Sequence, residues 1–171
     1  MKIITKFLYV IIFFTINISQ SFSYDKVAFI NLELMIENTN YGKTVLLIID
    51  KENEKNIKKL SDYEIELKSI EDSIKQKKNI LSNEEYNKEI VLLKNKISAY
   101  KKQKNDIVNN FTNFRNDKIK EYFIEINPVI QDYMKKNSIS ILLEQKNVFM
   151  GKTETNITSD LIKIINENIK K

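Results

Sequence analysis

The chain has 171 residues, of which 42% are hydrophobic and 30% charged, and a formal net charge of +5. That length allows one domain, or a compact body carrying an elongated element, and two glycines and one proline argue against a loop-rich β fold. Histidine and cysteine are absent, so the common metal, acid–base and thiol chemistries lack their usual groups, and neither an enzyme nor a cofactor is expected.

The chain opens with a leader. Lys2 and Lys6 are basic, residues 7–18 are apolar apart from Thr15 and Asn17, and Ser21-Phe22-Ser23 offers small residues at a signal-peptidase spacing. We read residues 1–23 as a secretory signal cleaved after Ser23. A retained anchor fits less well, because a bilayer needs roughly twenty apolar residues. With no cysteine there is neither a lipid-attachment residue nor a disulfide, and the mature chain is expected to be soluble and exported.

Residues 26–31 (KVAFIN) read as a buried strand, 32–37 as one or two helical turns, and 38–42 as a turn cluster. From Lys43 the pattern is helical. Residues 45–49 are apolar on all sides, which predicts packing against the body or other subunits. Further on, Leu60, Leu67, Ile74 and Leu81 hold one heptad position, with Tyr63, Ile70 and Lys77 at the other. After Ser82, Tyr86, Leu93, Tyr100, Ile107 and Phe114 repeat the pattern, with Ile90, Ile97, Lys104 and Phe111 beside them. Paired across the turn, Leu81 with Tyr86, Ile74 with Leu93, Ile70 with Ile97, Leu67 with Tyr100 and Leu60 with Ile107 have numbers adding to 167. That symmetry predicts an antiparallel helical hairpin with its tip near 82–85, where Ser82 and Glu85 form a capping box. Lys77 and Lys104 would weaken the seam and help set its register.

Pro128 predicts a kink near 124–127, and Lys135-Lys136-Asn137 a helix end. Residues 139–143 read as a second strand and 148–150 as a third, across a turn at 145–147. A loop at 151–156 precedes a terminal helix capped by Thr158, carrying Leu161, Ile162, Ile164, Ile165 and Ile169. Three such strands are too small a sheet to stand alone, and three or more copies would have to share one core. The expected architecture is α+β: a coiled-coil hairpin (46–124) projecting from a small β body (24–45 and 125–171) that trimerisation completes.

Gly42-Lys43-Thr44 resembles the end of a phosphate-binding loop, but Glu37 stands where the motif needs its first glycine. Asn110-Phe111-Thr112 and Asn156-Ile157-Thr158 match a glycosylation acceptor, as an Asn-rich chain does freely. Carboxylates alternate with lysines, as on a solvated helical face. The charge distribution says more. Lys75, Lys77, Lys78, Lys88, Lys94, Lys96, Lys101, Lys102 and Lys104 face three acids in residues 75–104, a net of +6, while the rest of the mature chain nets −3. Such a distal patch attracts acidic chains or anionic lipid, and export sets nucleic acid aside. Val91 and Val108 lie off the hairpin seam and are candidates for an apolar binding wall.

The opening segment KVAFINLELMIENTNYGK and the closing segment SISILLEQKNVFMGKTETNITSDLIKIIN resemble the Skp (OmpH-like) family of periplasmic chaperones. Asn147-Val148 stands where that family has an Asn-Ala-Val-like turn, and Asn156-Ile157-Thr158 where it has Asp-Ile-Thr before the last helix. The resemblance implies a homotrimer whose strands form one β body, with three hairpins around an open cavity. It implies ATP-independent holding of unfolded outer-membrane proteins in the periplasm, with lipopolysaccharide or anionic lipid as open further partners. A structural coiled-coil spacer tethering envelope components is the alternative from the hairpin alone.

Overall fold

A computed structural model describes residues 26–170. The leader and its cleavage point lie outside them. Strand β1 (Lys26–Ile30) buries Ala28 and Ile30 on one face. Asn31 caps helix α1 (Leu32–Asn38), its Oδ1 accepting from the Leu34 N–H at 2.9 Å.

Thr39 alone separates α1 from helix α2 (Asn40–Lys77). Asn40, Tyr41 and Gly42, expected in a turn, are therefore helical. Thr39 Oγ1 accepts from the Gly42 N–H at 3.1 Å, which satisfies one of the unpaired donors of the first turn. The chain doubles back so tightly here that a Cβ on Gly42 would collide with the Ile36 carbonyl oxygen and stand 2.6 Å from Thr39 Oγ1. The glycine of the loop-like Gly42-Lys43-Thr44 triplet is thus required by packing.

Helix α3 (Asn83–Lys136) returns antiparallel to α2. With 38 and 54 residues, the two helices are about 57 Å and 81 Å long at 1.5 Å per residue. At the tip, Glu85 N–H donates to Ser82 Oγ at 3.3 Å and Ser82 N–H donates to Glu85 Oε2 at 3.0 Å, the expected capping box. Two hydrogen bonds, from the Ser82 hydroxyl and then from its N–H, hold the Glu85 carboxyl below the usual carboxylate range.

Pro128 lies inside α3, which is helical on both sides of it, so the expected kink does not interrupt the helix. The carbonyl relieved of its partner belongs to Ile124, an exposed residue open to water, while Ile126 and Ile130 are buried and keep the two flanking turns in place. Ser138, just past the helix, takes φ 54°, a left-handed conformation usually given to glycine. It turns the chain into strand β2 (Ile139–Glu144), which pairs parallel with β1, Val27 opposite Ile141 and Ile30 opposite Glu144. Parallel strands require a long crossover, and here the entire hairpin is that crossover.

The third strand expected at 148–150 is not formed. Residues 145–147 make a 3₁₀ turn, as the turn expectation required, but Phe149 and Met150 beyond it are 100% and 84% exposed. The other edge of β1 is taken instead by 156–157: Ile157 N–H donates to Phe29 O at 3.1 Å. Helix α4 (Thr158–Asn168) follows, with Thr158 as its first residue rather than its cap. Ile157 stands at the N-cap with no side-chain cap bond; Asn156 Oδ1 accepts from the Thr158 N–H at 3.1 Å, and Thr158 Oγ1 accepts from the Asn31 N–H at 2.9 Å.

The core lies where these elements meet. Ala28, Ile30, Met35, Ile36, Val45, Ile49, Tyr122, Ile126, Ile130, Leu161 and Ile165 form one buried cluster, with Phe111 and Phe114 packed against it. Of the all-apolar 45–49 stretch, Val45 and Ile49 are buried while Leu47 and Ile48 are exposed in the single chain. Tyr122 donates or accepts at Thr39 Oγ1, 2.9 Å away, and burial raises its hydroxyl pKa above the usual tyrosine range. This one buried bond ties the root of α2 to the root of the α3 return.

Candidate functional site

Beyond that core, Ile74, Leu93 and Ile107 are the buried hydrophobic residues of the arm. All three are heptad positions. The arm is two helices thick, so a residue is either at the seam or in contact with water. Lys77 and Lys104, placed by the heptad count at the seam, are exposed instead, and Lys104 Nζ sits 6.0 Å from the centre of the Tyr100 ring. Long flexible stems let both ammonium groups reach water from a seam-adjacent position.

Polar residues tie the middle of the arm. Lys96 Nζ pairs with Glu66 at 2.6 Å, Gln103 Nε2 donates to the Tyr63 hydroxyl at 2.6 Å, and the Tyr100 hydroxyl donates to Glu64. That last bond raises the Tyr100 pKa. The Tyr63 and Tyr100 rings are 6.3 Å apart, and a pocket of about 180 Å³ opens between the helices among Tyr63, Glu66, Leu67, Lys96, Ala99, Tyr100 and Gln103. Numbers of the residues in these contacts add to between 162 and 166, one to five short of the expected 167, while Leu67 and Tyr100, an expected pair, line the same pocket. Glu64, Glu66 and Gln103 carry no heptad signal of their own. Their role rests on which side of the seam they flank.

All nine distal lysines are exposed, but they are not equivalent. Lys75 pairs with Glu71 at 2.7 Å, Lys88 with Glu84 at 2.7 Å, and Lys96 with Glu66. The Lys75 ammonium holds the Glu71 carboxyl below its usual range, chiefly through their hydrogen bond. Lys77, Lys78, Lys94, Lys101, Lys102 and Lys104 have no ion pair among the described residues. The field of the distal arm therefore comes from these six. Exposed pairs of the other kind are worth little to stability, and their charges largely cancel at a distance.

Val91 and Val108 are 54% and 51% exposed, as their off-seam spacing required. The structure adds Ile57, Ile65, Ile80 and Leu92, each more than half exposed. Their signal was in the sequence: each is an aliphatic residue in a long helix or its turn that the heptad count leaves over. Val91 and Leu92 line a shallow groove with Glu84, Asn87 and Lys88 on the side of α3 facing away from α2. No helix among the described residues is long and apolar enough to cross a membrane.

No curated protein matches the chain in sequence. Six chains of solved structures match it. One is a candidate outer membrane chaperone (OmpH-like) from Caulobacter crescentus CB15, with a TM-score of 0.73 at 16% identity over 85% of this chain and 86% of that one. At that identity the likeness shows a shared fold. The model of a protein family, outer membrane protein (OmpH-like), matches residues 26–165. That span takes in β1, the whole hairpin, β2 and most of α4, including the opening segment and all but the last residue of the closing segment that carried the resemblance. The chain belongs to the OmpH-like family of outer membrane proteins.

Proposed function

We propose that the protein is a holdase chaperone of the periplasm. It is exported by its leader and binds unfolded outer-membrane proteins without ATP, in a cavity between the arms of a homotrimer. The observation that carries this reading is a long two-helix arm that buries only Ile74, Leu93 and Ile107 beyond the body core, yet exposes aliphatic side chains beside six unpaired lysines. Unpaired charge gathers a client from a distance, and half-exposed valines and isoleucines offer contacts that are individually weak. A client held this way leaves downhill into its own fold.

Trimerisation is supported by what a single chain leaves uncovered. Strand β2 is an edge strand, and Ile141, Leu143, Leu47, Ile48, Phe149 and Met150 lie exposed on the body and the arm root. In this proposal residues 24–45 and 125–171 form the shared body and 46–124 each arm. Anionic lipid is a further partner that the tip would suit, since Ile80, 83% exposed, stands beside Lys77 and Lys78.

The test is dilution of a denatured outer-membrane β-barrel protein with and without this protein, followed by light scattering. Suppressed scattering at a stoichiometric excess of trimer is expected. Unchanged aggregation would leave the spacer reading in its place.

A further inference from the structure

The two flanks of the arm's return helix differ in a way that neither net charge nor hydropathy reveals. The seam on α3 runs through Leu93, Tyr100, Ile107 and Phe114. Residues three further on, Lys96 and Gln103, lie on the flank that reaches across to Glu66 and Tyr63 on α2. Residues one further on lie about 100° round the helix to the other side. Those are Lys94, Lys101, Val108 and Arg115, all exposed. The three cations among them have no ion pair among the described residues, and Val108 is 51% exposed.

We infer that this second flank, the ladder Lys94–Lys101–Val108–Arg115, is where an extended acidic polypeptide lies along the arm. The inference rests on the chaperone reading and adds to it which side of the arm takes the chain. Successive rungs are about 10.5 Å apart and the ladder is about 32 Å long, parallel to the arm axis. An extended chain advances about 3.3 Å per residue, so every third side chain or so can meet a rung, carboxylates at Lys94, Lys101 and Arg115 and an apolar group at Val108. A bilayer would meet such a ladder only if the arm lay flat, which makes a polypeptide the better-fitting occupant. The first flank is closed to this use, because the ammonium of Lys96 and the amide of Gln103 are already engaged.

Two double substitutions with the same formal charge change test the inference, because neither breaks an ion pair. Lys94→Glu with Lys101→Glu alters the ladder, and Lys58→Glu with Lys59→Glu alters exposed lysines of α2 outside the distal set. The probe is a dye-labelled, urea-unfolded outer-membrane β-barrel protein of net negative charge, with capture followed by stopped flow at low salt. The ladder variant should capture about tenfold more slowly than wild type, and the control within about twofold. Unchanged circular dichroism spectra of both variants should accompany this. As a second measurement, a photo-crosslinking residue at Val108 should trap the client and one at Ala99, on the tied flank, should not. Equal slowing by both double variants, or equal crosslinking from the two flanks, overturns the inference while leaving the chaperone reading intact. So does a ladder effect seen only with phosphatidylglycerol vesicles and not with the polypeptide. If the wild-type protein captures nothing, both readings fall together.

Discussion

Thr39→Val tests whether the arm is anchored to the body through one buried hydroxyl. Thr39 is fully buried, its Oγ1 accepting from Gly42 N–H at 3.1 Å and bonded to the fully buried Tyr122 hydroxyl at 2.9 Å. Valine keeps the shape and removes both bonds. Losing the cap costs about 1 kcal/mol, orphaning the Tyr122 hydroxyl about 1–3 kcal/mol, and the added methyl offsets less than about 1 kcal/mol, leaving a net of about 1–4 kcal/mol. Urea unfolding monitored by circular dichroism, at fixed protein concentration, measures it. The decisive comparison is a double-mutant cycle. In a Tyr122→Phe background there is no hydroxyl left to orphan, so Thr39→Val should cost only about 1 kcal/mol. Equal costs in the two backgrounds, or less than about 1 kcal/mol in the wild type, would refute the coupling.

Gly42→Ala should destabilise by about 1–3 kcal/mol although alanine is the better helix former, because its methyl has no room beside Ile36 and Thr39; a raised thermal midpoint would contradict this. Ser138→Gly should stabilise by about 0.5–1 kcal/mol by relieving the left-handed φ, and the same urea titration reads it. The tip should loosen in acid. The Glu85 carboxyl is held low in the folded state, so its contribution is present above the unfolded value of about 4.5 and is lost as pH falls through the folded value. Amide exchange around residues 82–86 should speed up on acidification in the wild type and much less in Glu85→Gln, whose neutral side chain can still cap. An identical pH response in the two would count against the box.

The hairpin was legible because each of its determinants is local or periodic. Seven-residue spacing placed Ile74, Leu93 and Ile107 at the seam, and Ser82 with Glu85 marked the tip from four residues. The site was legible only as a set of exposed positions. Nine lysines could be counted, but which three are neutralised depended on Glu66, Glu71 and Glu84, and one of these sits on the other helix thirty residues away. Val91 and Val108 were identified by subtraction from the seam, and the same subtraction leaves Ile57, Ile65 and Leu92, which no separate motif marks.

The errors in the body share one cause. An apolar triplet at 148–150 has strand composition, but in the single chain it pairs with nothing and leaves Phe149 and Met150 exposed, while 156–157 take the second edge of β1. Thr158 has the chemistry of a cap, yet it is the first helical residue after Ile157, and its hydroxyl accepts from the Asn31 N–H, 127 residues away in sequence. Residues 40–42 have turn composition, but Thr39 caps them into a helix whose first turn is pressed against Ile36. By itself the sequence determined the long antiparallel arm and its capped tip, since helix periodicity and capping are decided within a few residues of each other. Only the tertiary structure decided that Lys96 is neutralised, how the strands close on one another and where buried hydroxyls go, because each of those depends on a partner far away in the chain.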